Sequence, residues 1–63
     1  MNLGKKIKQK RDELNLTQEE LAAKVNLSRS TVALIESGKR GVTRDKIESF
    51  ARALNMPPAE LMG

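Results

Sequence analysis

The sequence predicts an all-α fold, a single compact domain of five short helices that spans residues 1–63. Three observations support this prediction. Strong helix formers such as Ala, Leu, Glu and Lys dominate the composition, and runs of β-branched residues are absent. Apolar residues recur at intervals of three and four, which is the period of one helix face. Residues that favour helix ends stand at the borders of these apolar segments.

The first predicted helix covers about residues 3–14. Its apolar stripe has members spaced by four and seven positions, namely Leu3, Ile7 and Leu14. Lysines lie elsewhere around the helix, where they are expected to face solvent. Asn15 follows the last apolar member of the stripe. Because Asn tolerates the left-handed conformation found at many helix ends, we expect the helix to stop near this residue.

The second predicted helix covers about residues 18–25 and has a strong start signal. Thr17 and Glu20 stand three positions apart, which is the spacing of a capping box. In that motif each side chain accepts a hydrogen bond from the backbone N–H of the other residue. Asn26 is the residue best able to end this helix, because Asn accepts a positive φ more readily than other non-glycine residues.

The third predicted helix covers about residues 29–36. Ser28 precedes it and is the expected N-cap, since a serine hydroxyl accepts a hydrogen bond from a backbone N–H in the first turn. Val32 and Ile35 follow at helical spacing and are expected to face the core. Gly38 then ends the helix, because glycine adopts the left-handed conformation without steric cost.

Two more helices complete the predicted fold. Thr43 is the expected N-cap of the fourth helix, whose core face follows the i, i+3, i+4, i+7 pattern with Ile47, Phe50, Ala51 and Leu54. Asn55 ends this helix. A last helical turn is predicted over residues 58–62, because Pro58 suits the first helical position. Leu61 is expected to anchor that turn to the core.

The second and third helices together predict a helix-turn-helix over about residues 18–37. Only Asn26, Leu27 and Ser28 join them, and a connection of three residues is typical of two helices that cross steeply. A steep crossing requires a small residue where the helices approach, and Ala22 stands at that position. Leu27 is apolar in an otherwise polar turn, so we expect its side chain to face the core.

The segment from Gln18 to Ser37 resembles the Cro/phage-repressor (Xre-type) helix-turn-helix family. The residues that carry the resemblance are, in chain order, Thr17-Gln18-x-x-Leu21-Ala22, Val25, Ser28-Arg29-Ser30-Thr31-Val32 and Ile35-Glu36-x-Gly38-Lys39-Arg40. Asn26 stands where that family most often has Gly, and Asn tolerates the same backbone conformation. The resemblance extends over essentially the whole chain and implies a lambda-repressor-like fold.

The resemblance also implies sequence-specific binding of double-stranded DNA by a bacterial or phage transcriptional regulator of repressor-like type. In that family the second helix of the motif lies in the major groove and reads base edges with its N-terminal residues. By position, Arg29, Ser30 and Leu34 would face the bases, while Gln18 would contact phosphate and support Arg29. The full set of expected DNA-contacting residues is Gln18, Ser28, Arg29, Ser30, Leu34, Lys39, Arg40, Thr43 and Arg44.

Some of these residues have a plainer interpretation. Leu34 is apolar where a hydrogen-bonding side chain is expected, since Leu can touch a thymine methyl group but cannot read donors and acceptors. It is either a groove contact or a partly buried residue at the rim of the core. Arg29 and Gln18 are either interface residues or solvated side chains at helix starts, and the same alternatives apply to the basic loop at residues 39–40.

Arg11 and Glu36 each place a charge on the apolar stripe of their own helix. An isolated charge at such a position would be costly to bury. We therefore expect the two side chains to meet in a partly buried ion pair that ties the first helix to the end of the third. The resemblance supports this pair, because the family often has it. The alternative is two independent side chains that extend their charged ends into solvent.

The composition excludes several classes of function. The chain has no Cys and no His, so disulfides and thiolate or imidazole metal sites are excluded. We expect no cofactor, no metal, no small-molecule substrate and no enzymatic activity. Phe50 is the only aromatic residue and has a core spacing, which disfavours stacking on single-stranded nucleic acid. No apolar run approaches the roughly 18 residues that a membrane span needs. The resemblance implies a cytoplasmic location, in the bacterial cytoplasm or nucleoid.

A net charge of +4 favours an anionic partner. The expected partner is double-stranded DNA, bound by a chain that is monomeric in solution and pairs weakly into a homodimer on the DNA. The expected dimer contacts are the loop after Gly38 and the end at residues 57–62. A rival hypothesis is a protein-interaction module, such as an antitoxin or a coactivator-type protein, in which Leu34 would belong to an apolar contact. Salt-dependent binding to duplex DNA distinguishes the two.

Overall fold

The structure of the protein is a computed structural model that describes residues 3–62. These residues form five α-helices and contain no strand, which confirms the predicted fold class. In chain order the helices are α1 (Leu3–Glu13), α2 (Gln18–Val25), α3 (Arg29–Glu36), α4 (Arg44–Ala53) and α5 (Pro58–Met62). The expected domain extends over 1–63, so its residues 1, 2 and 63 lie outside the described part of the chain.

One hydrophobic core joins all five helices. Phe50 of α4 is completely buried in it, as are Ile7, Leu21 and Val32 from the first three helices. Leu61 from α5 is 4% exposed and closes the core on the side of the last helical turn, as expected. The buried apolar residues are Ile7, Leu21, Ala22, Val25, Val32, Ile35, Phe50, Ala51, Leu54 and Leu61. A single core in so small a domain makes each helix depend on its neighbours for burial.

Three asparagines turn the chain after helices, as the sequence predicts. Asn15, Asn26 and Asn55 have φ values of 58°, 59° and 60°, and Gly38 has a φ of 82°. At Asn26 the backbone N–H also bonds to the carbonyl groups of the last turn of α2. A residue in the left-handed conformation ends a helix and changes the direction of the chain within one position, so the connections between the helices stay short.

The structure corrects the expectation for Leu14. Helix α1 ends at Glu13, and the Leu14 side chain is 42% exposed instead of extending the buried stripe. The reason is the left-handed turn at Asn15, which begins as soon as the helix ends and directs the chain back toward the core. Leu16 therefore packs against the core in place of Leu14. Leu27 in the later turn also packs against the core, as predicted.

Gly4 allows α1 to approach the end of α3 at backbone distance. A Cβ atom on Gly4 would lie 2.8 Å from the carbonyl oxygen of Glu36 and closer still to that of Ile35. Both atoms belong to backbone, which cannot rotate aside as a flexible side chain does. The contact matters for the site described below because it fixes α1 against the helix that carries Glu36.

We predict that Gly4→Ala destabilises the fold by about 1–3 kcal/mol, since the added methyl group overpacks a backbone contact. The matched control is Gly41→Ala, because a Cβ on Gly41 meets nothing within 4 Å. That variant should stay within about 0.5 kcal/mol of the parent chain. Urea unfolding of the three proteins measures both differences. Equal stabilities for the Gly4 and Gly41 variants would contradict the close approach.

Candidate nucleic-acid interface

The helix-turn-helix is built by side chains that cap its two helices. The Thr17 hydroxyl accepts a hydrogen bond from the Glu20 N–H, and the Glu20 carboxylate accepts one from the Thr17 N–H at 2.8 Å. The Ser28 hydroxyl accepts one from the N–H of Thr31 at 3.1 Å. Ala22 is 3% exposed, so α2 has a small side chain where it packs into the core. These caps fix where α3 begins and therefore which side chains stand at its exposed end.

The first turn of α3 presents polar side chains to solvent. Arg29 and Ser30 are both exposed, and Leu34, four positions after Ser30, is 41% exposed. Residues four apart are neighbours on a helix surface, so Ser30 and Leu34 share one face. Ser28 is also exposed, but its hydroxyl is engaged in the N-cap. At this exposure Leu34 still fits both interpretations, a groove contact and a partly buried residue at the rim of the core.

The basic loop after α3 is folded back onto the end of that helix. The backbone N–H groups of Lys39 and Arg40 both donate to the carbonyl oxygen of Leu34, at 3.0 and 3.3 Å. Both side chains remain exposed. These hydrogen bonds hold the backbone of residues 39–40 against the last turn of α3, although the segment is not helical. Two exposed cations therefore follow directly after the last turn of the helix.

The start of α4 adds further polar groups. Thr43 is its N-cap, with a hydroxyl that accepts from the N–H of Lys46 at 3.4 Å. The side chains of Thr43 and Arg44 are exposed. Lys46 was not singled out from the sequence. Its ammonium group donates to the carbonyl oxygen of Val25 at 2.7 Å, which ties the start of α4 to the last turn of α2.

Arg11 and Glu36 form a buried ion pair. Nε of Arg11 donates to Oε2 of Glu36 at 2.7 Å and Nη2 donates to Oε1 at 3.1 Å, so the two groups meet side by side. Arg11 is 8% exposed and Glu36 is 6% exposed. A third hydrogen bond runs from Nη1 of Arg11 to the carbonyl oxygen of Leu16 at 2.7 Å. The pair thus joins α1, α3 and the turn that leads into α2.

The hydrogen bonding of the Arg11 guanidinium to the Glu36 carboxylate raises the pKa of Arg11 above its already high ordinary value, although burial of the guanidinium acts in the opposite direction. A raised pKa of a cation stabilises the fold at every pH below the ordinary value, and this stabilisation is lost only above it. Arg11 is therefore charged in both the folded and the unfolded chain near neutral pH. Its protonation adds no pH dependence to stability there.

Gln18 connects this ion pair to the exposed face of α3. Its amide nitrogen donates to Oε1 of Glu36 at 3.1 Å, and its amide oxygen accepts from Nη1 of Arg29 at 3.5 Å. Gln18 is half-buried, whereas Arg29 is exposed. The contact between Gln18 and Arg29 matches the support expected from the sequence. The bond to Glu36 is a feature that sequence spacing did not indicate, because the two residues lie on different helices.

The described residues hold no group of three or more His, Cys, Asp or Glu side chains placed to bind a metal ion. Across residues 3–62, every helix is too short or too polar to span a lipid bilayer.

Comparison with known proteins identifies the family. A family model described as helix-turn-helix matches residues 7–61. The chain belongs to this helix-turn-helix family. The match extends from α1 to α5, so the whole core described above is part of the family's fold. The resemblance seen in the sequence is thereby confirmed.

Two curated relatives are regulatory proteins by name. The chain is 38% identical over 60 residues to the control protein C.BamHI from Bacillus amyloliquefaciens, which covers 94% of this chain and 74% of that protein. It is 40% identical over 63 residues to the immunity repressor protein of Bacillus phage phi105. That match covers 100% of this chain and 44% of the repressor, so the chain spans less than half of the repressor's length.

A solved helix-turn-helix structure has the same arrangement of helices. The crystal structure of SinR, the master regulator for biofilm formation, in complex with DNA superimposes with a TM-score of 0.89 at 26% identity. The match covers 97% of this chain and 98% of that one. Together with the two relatives, it places the chain among DNA-binding transcriptional regulators rather than among enzymes, in agreement with the predicted function.

In this helix-turn-helix domain, Glu36→Ala is expected to lower stability by about 1–3 kcal/mol, because Arg11 would remain buried without its partner. Replacing both residues, as in Arg11→Met with Glu36→Leu, should cost less than the single change, since no unpaired charge is left. Urea unfolding measures these differences.

The control for the ion pair is Glu13→Ala, which removes a carboxylate from the surface pair with Lys10, 3.5 Å away. It should change stability by no more than about 0.5 kcal/mol. If Glu36→Ala is as mild as this control, the buried pair does not support the fold.

Proposed function

We propose that the chain binds double-stranded DNA sequence-specifically and acts as a repressor-like regulator of transcription, with α3 in the major groove. The observation that carries the proposal is the exposed first turn of α3. It is held in place by the Ser28 cap and contacted by Gln18, and exposed cations stand in the loop after α3, at residues 39–40, and at the start of α4, at residue 44. A helix presented in this way matches the docking mode of helix-turn-helix proteins. Bacterial DNA lies in the cytoplasm, so we propose that the protein acts in that compartment.

In this proposal Arg29 carries most of the base recognition. Its guanidinium has the geometry to donate two hydrogen bonds to O6 and N7 of one guanine, the commonest specific contact to a base. Ser30 is a second polar contact that accepts or donates and therefore discriminates less. Leu34 shares a face with Ser30 and offers an apolar surface for a thymine methyl group.

The remaining interface residues are proposed to bind the DNA backbone. Phosphate contacts position a protein on the duplex, and their number sets how strongly binding falls with salt. Lys39 and Arg40 lie beside the end of α3, held there by backbone hydrogen bonds to Leu34. Gln18 and Ser28 stand at the starts of α2 and α3, and Thr43 with Arg44 at the start of α4.

We further propose that two copies pair on DNA, with half-sites one helical turn apart, roughly 34 Å. The contact surface comprises the loop after Gly38 and residues 57–62, where the exposed Met62 adds apolar area. So small a surface predicts weak pairing in the absence of DNA. Sedimentation at low micromolar concentration should show a monomer when DNA is absent. A tight dimer under those conditions would refute this part of the proposal.

The exposed Leu34 favours one second candidate function, a protein-interaction module in which this side chain joins an apolar contact. Binding to a protein through such a contact would depend little on salt, whereas binding to DNA weakens steeply as salt rises.

The sharpest test of the proposed reading is Arg29→Ala. We expect a loss of about 1–3 kcal/mol against the preferred site, a much smaller loss against random duplex, and relaxation of a guanine requirement at one position. Competition binding with each base in turn at every site position measures the effect. The charge-matched control is Arg52→Ala, an exposed cation on α4 that should leave the guanine preference unchanged. Equal losses for specific and random duplex would show that Arg29 does not read bases.

Lys39→Ala and Arg40→Ala test the proposed phosphate contacts. Each should weaken binding to all sequences about equally and lower the slope of affinity against salt by roughly one. Lys8→Ala removes the same charge from the exposed side of α1 and should leave the slope closer to that of the parent chain. Titrations at several salt concentrations provide the slopes. A changed base preference with an unaltered slope would contradict the backbone role.

A further inference from the structure

We propose that Glu36 is a positioning residue for base recognition, because it sets the orientation of the Gln18 amide that meets Arg29. The inference deepens the proposed function and depends on it, since it assumes that Arg29 reads a base. It gives the buried ion pair a role beyond stability. Glu36 itself is 6% exposed and is not proposed to touch DNA.

The chemistry of the three groups allows only one orientation of the amide. A carboxylate accepts hydrogen bonds, and a guanidinium only donates them, whereas the end of a Gln side chain does both from opposite atoms. Glu36 therefore requires the amide nitrogen of Gln18, and the bond is 3.1 Å long. The amide oxygen is then left to face Arg29, from which it accepts at 3.5 Å. A flipped amide would set a donor against the guanidinium and an acceptor against the carboxylate.

The carboxylate that orients Gln18 is itself held in place. Both of its oxygens accept from Arg11, and Oε1 accepts from Arg11 and Gln18 together. The Arg11 guanidinium is fixed in turn by the carbonyl oxygen of Leu16. Successive hydrogen bonds therefore connect a buried guanidinium to an exposed one. They join four side chains in the order Arg11, Glu36, Gln18 and Arg29.

The hydrogen bond from Arg29 to Gln18 leaves Arg29 available for DNA. Only one of its five N–H groups is engaged by Gln18, so the others can donate to a guanine. The amide oxygen limits the directions that the guanidinium samples before binding, and a preorganised group loses less entropy when it binds. Losing this link should therefore weaken discrimination at the guanine position more than overall attraction to DNA.

The variant that tests this is Arg11→Met with Glu36→Leu, which removes the carboxylate and leaves net charge unchanged. Its matched control is Lys10→Met with Glu13→Leu, because that surface pair lies on α1 and also carries one charge of each sign. Each protein is titrated with the selected duplex and with the duplex in which the guanine is replaced. The buried variant should lose about threefold to tenfold in discrimination, the worth of one hydrogen bond, while its affinity for random duplex and the control's discrimination stay unchanged.

The same pair of changes is then made in the Arg29→Ala background. If Glu36 acts through Arg29, no further discrimination is lost there. A loss of equal size in that background, or full discrimination in the buried variant, would overturn the inference. Should the buried variant fail to fold, Gln18→Leu removes the amide and leaves the ion pair in place. It must then show the same loss of guanine preference, together with some loss of phosphate binding, and full guanine preference would refute the proposal.

A measurement without DNA separates the inference from the proposed function. In the ¹⁵N spectrum of the free parent chain, the Gln18 side-chain amide should resonate away from the position of a solvated Gln. In the buried variant it should move to that position, and an unchanged resonance would refute the contact.

A parent chain with no guanine preference would refute reading by Arg29, and with it any effect of Glu36 on discrimination. A parent chain with the preference and a buried variant that keeps it would refute the role of Glu36 alone.

Discussion

The pairing of Arg11 with Glu36 is the interaction on which the rest of this small domain depends. Removing two charges from water is unfavourable, and only good geometry with additional hydrogen bonds compensates for it. Here the guanidinium donates twice to Glu36 and once to the Leu16 carbonyl oxygen. Since these groups belong to α1, α3 and the turn before α2, one cluster sets how the DNA-binding motif sits on the first helix. Among the described residues, no buried side-chain nitrogen or oxygen lacks a hydrogen-bond partner.

Packing and local geometry serve the same arrangement. Gly4 brings α1 against the end of α3, where a larger side chain would meet backbone. Phe50 fills the centre of the core from α4. Three left-handed asparagines keep the connections between the helices short. As a result, the exposed turn of α3 that carries Arg29 is supported by a tightly packed core. A rigid support of this kind suits a surface that must match the shape of a groove.

Most of the fold was predictable because its signals are local. The Thr17, Ser28 and Thr43 caps and the helix-ending asparagines act on neighbouring residues, and the apolar spacing reports one helix at a time. The prediction that Leu14 belongs to the buried stripe of α1 was wrong, because apolar spacing does not show where the left-handed turn begins. The close contact at Gly4 and the bond from Gln18 to Glu36 were not predictable, since both join residues far apart in the sequence. The exposed positions of the interface residues followed from the resemblance, whereas the links among them required the three-dimensional structure.

In the proposed complex, α3 reads the major groove with the Arg29 guanidinium, whose orientation is set by Gln18 and the buried ion pair. The decisive measurement is a crystal structure of this chain bound to a duplex selected from random sequence. We expect the Arg29 guanidinium to donate to O6 and N7 of a guanine, with Gln18 still bonded to Glu36 and in contact with Arg29. An α3 that lies outside the major groove, or an Arg29 side chain directed to solvent or phosphate, would contradict it.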